Sequence, residues 1–306
     1  MAVKRPWAVR QFRASTGVSW TVPISESWRI KRIVSSPVSG GYLQVLIDRT
    51  SVGYWRIDSG VLGSHLHQLQ SGFVRPNLFG WLVDQGIHPG YPVAEGQTLT
   101  LRPVPSGSIT GWIEYEVHDA GDIRSDASCG SDSDELVIVN YGRPGGDVSS
   151  ATETRYTTSV LPAEFPDFPF GAPVPGGYEV EVIGLVASER STTSAASASN
   201  YIVTAGYKLM RGREVLFDQD RNPILALGYP STSTGTTLIG NNFAVVGECS
   251  DKSLKPPLIL PKPVVFGPGE ECTVTVTTEI GGSGATITAG NLEIGVIERI
   301  RRAGGV

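Results

Sequence analysis

Short runs of apolar and β-branched residues, broken by Ser, Pro, Gly or Asp, recur along the whole chain. Runs of this length and make-up predict many short strands. In the first half they fall at 18–22, 28–33, 42–47, 52–57, 98–101 and 112–117. In the last of these Ile113, Tyr115 and Val117 alternate with Glu114 and Glu116, which predicts a half-buried strand with a polar outer side. Between them, Leu62, Leu66 and Leu69 stand at helical spacing and predict a short helix over 61–69.

The pattern changes from Asp119 to about Gly177. Residues 122–135 are acidic and Ser-rich, residues 162–175 hold five prolines, and one strand-like run, Leu136 to Val139, lies between them. This stretch is expected to connect two domains, lending one strand to a sheet and otherwise running over the surface.

After it the pattern of the first half returns. Trp20 to Ser35 and Ala172 to Ala187 both read as an apolar lead, a Pro, a turn and an alternating strand opened by an aromatic. Tyr91 to Leu101 and Pro263 to Val276 both read as a Pro-apolar segment, a Gly turn beside an acid and a Thr/apolar strand. Each half then closes on a Gly-Ser turn and a strand carrying glutamates. Ordered matches of this kind predict an internal duplication. The expected architecture is all-β: two tandem, jelly-roll-like β-sandwich domains with few short helices. The expected boundaries are a basic N-terminal arm at 1–16, a first sandwich at 17–121, a connection at 122–170 and a second sandwich at 171–306.

Composition agrees with the pattern. Charged residues are 18% of the 306, Gly (37) and Pro (21) are plentiful, and 40% of residues are hydrophobic, enough to build a core. The formal net charge of -5 supplies no general attraction to nucleic acid or anionic membrane, and no sequence-specific nucleic-acid binding is expected. Two basic clusters stand apart: Lys4, Arg5, Arg10 and Arg13 at the start, and Arg299, Arg301 and Arg302 near the end. The first is the candidate interaction arm, reaching a membrane or a neighbouring subunit; a solvated terminus is the bland reading. No apolar stretch follows the basic start and no run of about eighteen apolar residues exists, so neither a secretory leader nor a membrane span is expected. Cys129, Cys249 and Cys272 have no ligand-like spacing, and their odd number argues against a disulfide framework. Cys249 and Cys272 are nevertheless a pair that strands could bring together.

The chemistry-bearing residues form no strong constellation. His65 and His67 would share a face on a strand but diverge on the expected helix, and His88 and His118 lie in unrelated contexts. Asp122, Asp126, Asp132, Asp134 and Glu135 offer oxygen ligands suited to calcium, without the EF-hand spacing. No GxSxG, P-loop or dinucleotide fingerprint is present. Trp20, Trp28, Trp55, Trp81 and Trp112 all lie in the first half, where core packing explains them better than a sugar platform. No catalytic, cofactor-binding or metal residue is therefore assigned, no cofactor is expected, and an enzyme is not expected.

Taken in order, these landmarks resemble those of virion proteins built from tandem jelly rolls, and are closest to the double jelly-roll major capsid proteins of small tailless bacterial or archaeal viruses. The resemblance implies a self-assembling capsid building block located in the virion. It implies a trimer whose six sandwiches form a pseudo-hexagonal capsomer over an internal membrane. Its partners would be further copies of itself and other virion proteins, with Lys4, Arg5, Arg10 and Arg13 facing the membrane or adjacent capsomers. The alternatives are a decoration, spike or tail-associated protein that binds the capsid or a host glycan, and a carbohydrate-active or cupin-like enzyme on the same fold.

Overall fold

Apolar and polar side chains alternate through much of the chain, and a pleated backbone sends them to opposite faces. The structure, a computed structural model, describes residues 3–35, 41–57, 82, 85–87, 90–125, 136–148, 153–159, 168–187, 202–218, 227–230, 257–280, 289 and 293–302. Among these residues the chain is all-β, with seventeen strands in antiparallel sheets.

The first eight strands are β1 (Val3–Ala14), β2 (Val18–Thr21), β3 (Glu26–Ser35), β4 (Gly41–Ile47), β5 (Thr50–Ile57), β6 (Tyr91–Val93), β7 (Thr98–Val104) and β8 (Ile109–Asp119). They form two four-stranded sheets, ordered β1-β8-β3-β6 and β2-β7-β4-β5. Only the β4–β5 hairpin stays within one sheet; every other connection crosses to the opposite sheet. Trp28, Ile30, Ile33, Val45, Ile47, Leu99, Leu101, Ile113 and Val117 are buried between the two. Each fully buried aliphatic side chain contributes about 1.5–3 kcal/mol, so this inter-sheet layer holds the sandwich together. In β8 Ile113, Tyr115 and Val117 are buried while Glu114 and Glu116 are half-exposed, as the alternation predicts.

The remaining strands are β9 (Leu136–Pro144), β10 (Glu153–Ser159), β11 (Tyr178–Ala187), β12 (Ile202–Arg211), β13 (Glu214–Asp218), β14 (Leu227–Pro230), β15 (Leu258–Phe266), β16 (Cys272–Ile280) and β17 (Ile294–Arg302). They form one nine-stranded sheet, ordered β13-β12-β16-β10-β9-β17-β11-β15, with β14 also paired to β12. At the β9–β10 junction the sheet is joined only through Gly142 to Pro144, which pair with Tyr156 to Ser159. Read as two parts, its order is β9-β17-β11-β15 and β10-β16-β12-β13, the same sequence of positions as in the first half.

The correspondence reaches individual bonds. Val22 N–H donates to Gln97 O at 2.9 Å and Gly96 N–H to Val22 O at 3.0 Å. Val174 N–H donates to Glu270 O at 2.9 Å and Gly269 N–H to Val174 O at 2.8 Å. The Gln97 side-chain oxygen accepts from Ala94 N–H at 2.9 Å, and Glu270 Oε2 from Gly267 N–H at 2.8 Å. A bulge interrupts β3–β8 pairing between Ile30 and Arg32, and another interrupts β11–β17 pairing between Val182 and Gly184. The β4–β5 and β12–β13 hairpins both turn in two residues, starting at Asp48 (φ 56°) and Gly212 (φ 55°). Both carry a bulge, after Val45 and after Leu209. Bulges bend a strand at a defined place, and these stand at matching register positions in the two halves.

The halves touch where β5 lies against β9. Tyr42 Oη donates to Glu293 Oε1 at 2.5 Å, and the Tyr42 and Tyr141 rings meet edge to face with centroids 5.4 Å apart.

Two expectations are corrected. Residues 3–14 are not an arm: their backbone pairs with β8 from Val3 to Ala14, because Ala8, Arg10, Phe12 and Ala14 share one side and close the end of the sandwich. The stretch expected as a connection with one strand holds two, β9 and β10, both integral to the second half. Leu136, Val137, Ile138 and Val139 are buried on both faces, the character of an interior strand. The expected helix at 61–69 lies outside the described residues.

Candidate interaction surface

The strand β1 carries all four residues of the candidate arm, and it is the end strand of its sheet. Bulges between Val3 and Arg5 and between Arg5 and Ala8 interrupt the regular pairing of its first part, where Pro6 has no N–H to give. Arg10 caps the core. Its guanidinium lies 4.7 Å from the Trp28 ring centroid, and its Nε–H donates to Tyr115 Oη at 3.0 Å. Trp28 and Tyr115 in turn have ring centroids 4.6 Å apart. Arg5 pairs with Glu26 at 2.9 Å across β8, and Lys4 stands 3.6 Å from Asp119. Exposed pairs of this kind contribute about 0–1 kcal/mol each. Arg13 is exposed, as are Val3, Trp7 and Val9. The basic side chains of β1 remain exposed, but Lys4, Arg5 and Arg10 are each engaged with a partner in the same sheet, and exposed apolar side chains stand beside them. The residues overlooked in a charge count, Trp7 and Val9, are marked in the sequence only by alternation with Ala8 and Arg10.

The second basic cluster is also bound within the fold. On the outer face of β11 and β17, Arg299 reaches Glu181 at 2.7 Å, and Arg301 reaches Glu181 at 2.9 Å and Glu179 at 4.0 Å. Lys31 and Glu116 make a similar pair at 3.2 Å in the first half.

Comparison with protein-family models and with curated proteins finds no match to this chain. The chemistry must therefore be read from the residues themselves. Among the described residues no three His, Cys, Asp or Glu side chains gather as a metal site. His65, His67, His88, Asp126, Asp132, Asp134, Glu135, Cys129, Cys249 and Trp81 lie outside those residues. Asp122, of the candidate calcium loop, sits in a turn closed by its own N–H donating to Asp119 O at 3.2 Å. His118 is buried, 3.4 Å from Glu116 Oε2. Among the described residues no helix is long and apolar enough to cross a membrane.

Three titratable groups lie deep in the core. Cys272 is a free thiol pushed up to about 12 by burial, then by Glu298 and Glu271, with Arg211 opposing. At neutral pH it keeps its proton and is a poor nucleophile. Burial likewise holds the Glu298 carboxyl well above the usual carboxylate range, and neither oxygen has a hydrogen-bond partner among the described residues. Tyr91 is raised by burial, although Trp55 Nε1–H donates to its Oη at 2.6 Å. Of the tryptophans expected in the core, Trp28 and Trp55 are buried and Trp20 packs on Phe12 with centroids 5.9 Å apart. Trp112 is half-buried, its indole N–H donating to Glu114 Oε1 at 3.0 Å.

Proposed function

We propose that this chain is a virion structural protein, a capsid building block that assembles with copies of itself. The observation that carries the reading is the strand order, met twice. Two sheets ordered 1-8-3-6 and 2-7-4-5 are the arrangement of an eight-stranded jelly roll. The second half follows the same order with matching bulges and turn bonds, which favours an internal duplication of one jelly roll. Two such units in one chain suit a trimer of six sandwiches, because a ring can then place six similar blocks around one axis. The buried, proton-holding Cys272 and the engagement of Arg10 with Trp28 and Tyr115 favour a structural role over a catalytic one.

Light scattering of the purified protein over a range of concentration and salt tests the reading, followed by electron microscopy of any particles. A stable trimer, or shells that grow from trimers, is the expected result. A mass that stays at 32.6 kDa up to the highest soluble concentration overturns it.

A further inference from the structure

Register relates each strand of the first half to one of the second. β5 corresponds to β13, because both follow a two-residue turn and pair across a bulge with β4 and β12. β1 corresponds to β9, because both pair with the closing strands, β8 and β17. Within one chain β5 packs against β9. Among the described residues no strand packs in that way on their counterparts, β13 and β1. Val139 of β9 is 3% exposed, whereas Val9, which holds the same register position on β1, is 39% exposed. Ser51 of β5 is 4% exposed, whereas Val215, its counterpart on β13, is 42% exposed. Four of the six large apolar side chains exposed among the described residues lie on these two strands: Val3, Trp7, Val9 and Val215. Three of these lie on β1 and one, Val215, on β13; exposed apolar side chains at two places that each match a covered place elsewhere in the fold fit two halves of one interface.

We propose that β13 of one copy packs against β1 of the next, repeating between chains the contact that β5 and β9 make within one. The occupant of each surface is a second copy of this chain. The inference rests on the assembly reading above and names its contact. Two different patches meet, so the contact is head-to-tail: each copy keeps one free β1 and one free β13 until a ring closes. The clasp between the halves is not repeated, because the register positions of Tyr42 and Tyr141 are held by Gly206 and Gln11. The contact between chains therefore lacks the clasp that ties the halves of one chain, and it depends on concentration.

The test uses Val9→Glu, Val215→Glu and, as a control on an exposed turn that belongs to neither strand, Ile24→Glu. Mass is read by light scattering and folding by circular dichroism melts. Val9→Lys replaces Val9→Glu if the acidic variant does not fold. The expected result is that the wild type and Ile24→Glu assemble, while Val9→Glu and Val215→Glu each stay at the monomer mass. Mixing the last two gives a dimer and nothing larger, because Val9→Glu keeps an intact β13 and Val215→Glu an intact β1. If Val9→Glu alone becomes monomeric, the interface is a symmetric one through β1 and the proposal falls. If both variants assemble as the wild type does, the contact lies elsewhere and the proposal falls while the assembly reading stands. A monomeric wild type overturns both.

Discussion

Glu298 holds in β17 the register position that Tyr115 holds in β8. Tyr115 pairs with Ile30 and Glu298 with Val182, each immediately before the bulge in its neighbouring strand. Tyr115 meets the position with a ring against Trp28 and an oxygen that accepts from Arg10. Glu298 brings a carboxyl whose two oxygens are without a hydrogen-bond partner among the described residues, facing a core that contains Cys272.

That substitution of one position for another makes stability depend on pH. The folded protein holds Glu298 protonated well above the unfolded value, which is roughly 4.3. Below that value both states are protonated and the burial carries no ionisation cost. As pH rises past it, the unfolded chain releases the proton while the folded chain keeps it. Stability then falls by up to about 1.4 kcal/mol per pH unit until the folded pKa is reached. Urea denaturation of the wild type and Glu298→Gln from pH 4 to 8 is expected to give curves that diverge as pH rises, with the variant flatter. Parallel curves would show that Glu298 is ionised in both states.

Arg10 holds the first strand to the core through one ring contact and one hydrogen bond. Arg10→Met keeps much of the aliphatic length and removes both, with an expected loss of about 1–2 kcal/mol. Arg10→Lys keeps the charge over Trp28 but has no Nε–H in the same place, so it recovers only part of that loss. The measurement is the chemical denaturation midpoint of each variant. Equal midpoints for the wild type and Arg10→Met would mean that the guanidinium contributes nothing to stability.

Tyr42 ties the two halves through a hydrogen bond to a carboxylate. Tyr42→Phe preserves the ring contact with Tyr141 and deletes that bond, whose expected value is about 1.5–3 kcal/mol. Scanning calorimetry is expected to show a lower or broader transition as the halves lose part of their coupling. An unchanged endotherm would place the coupling in the β5–β9 packing alone.

Much of this architecture was legible along the chain. Alternation predicts β3, β7 and β8 and the faces of Ile113, Tyr115 and Val117. The match of Trp20 to Ser35 with Ala172 to Ala187 brings Val22 beside Val174 and Pro23 beside Pro175, and those pairs make the same turn bonds. These features are local: a two-residue period, a proline, a glycine able to take positive φ at Gly96 and Gly269. The basic start was misleading for a physical reason. Charge was the most visible property of Lys4, Arg5, Arg10 and Arg13, but strand pairing is decided by backbone groups, and Arg10 is spent on Trp28 and Tyr115. Likewise Leu136 to Val139 revealed a strand, whereas the Thr-rich stretch that forms β10 did not, since its place is set by β16 and β9.

By itself the sequence determined the all-β class, the face that each strand presents and the turns between many of them, because those depend on neighbours a few residues away. Tertiary structure decided which strands pair, that the first strand closes a sheet, and that β9 is covered while β1 is not. Those outcomes join residues as far apart as Tyr42 and Glu293. A period of two assigns a side chain to a face but carries no record of which strand, or which half, will cover it.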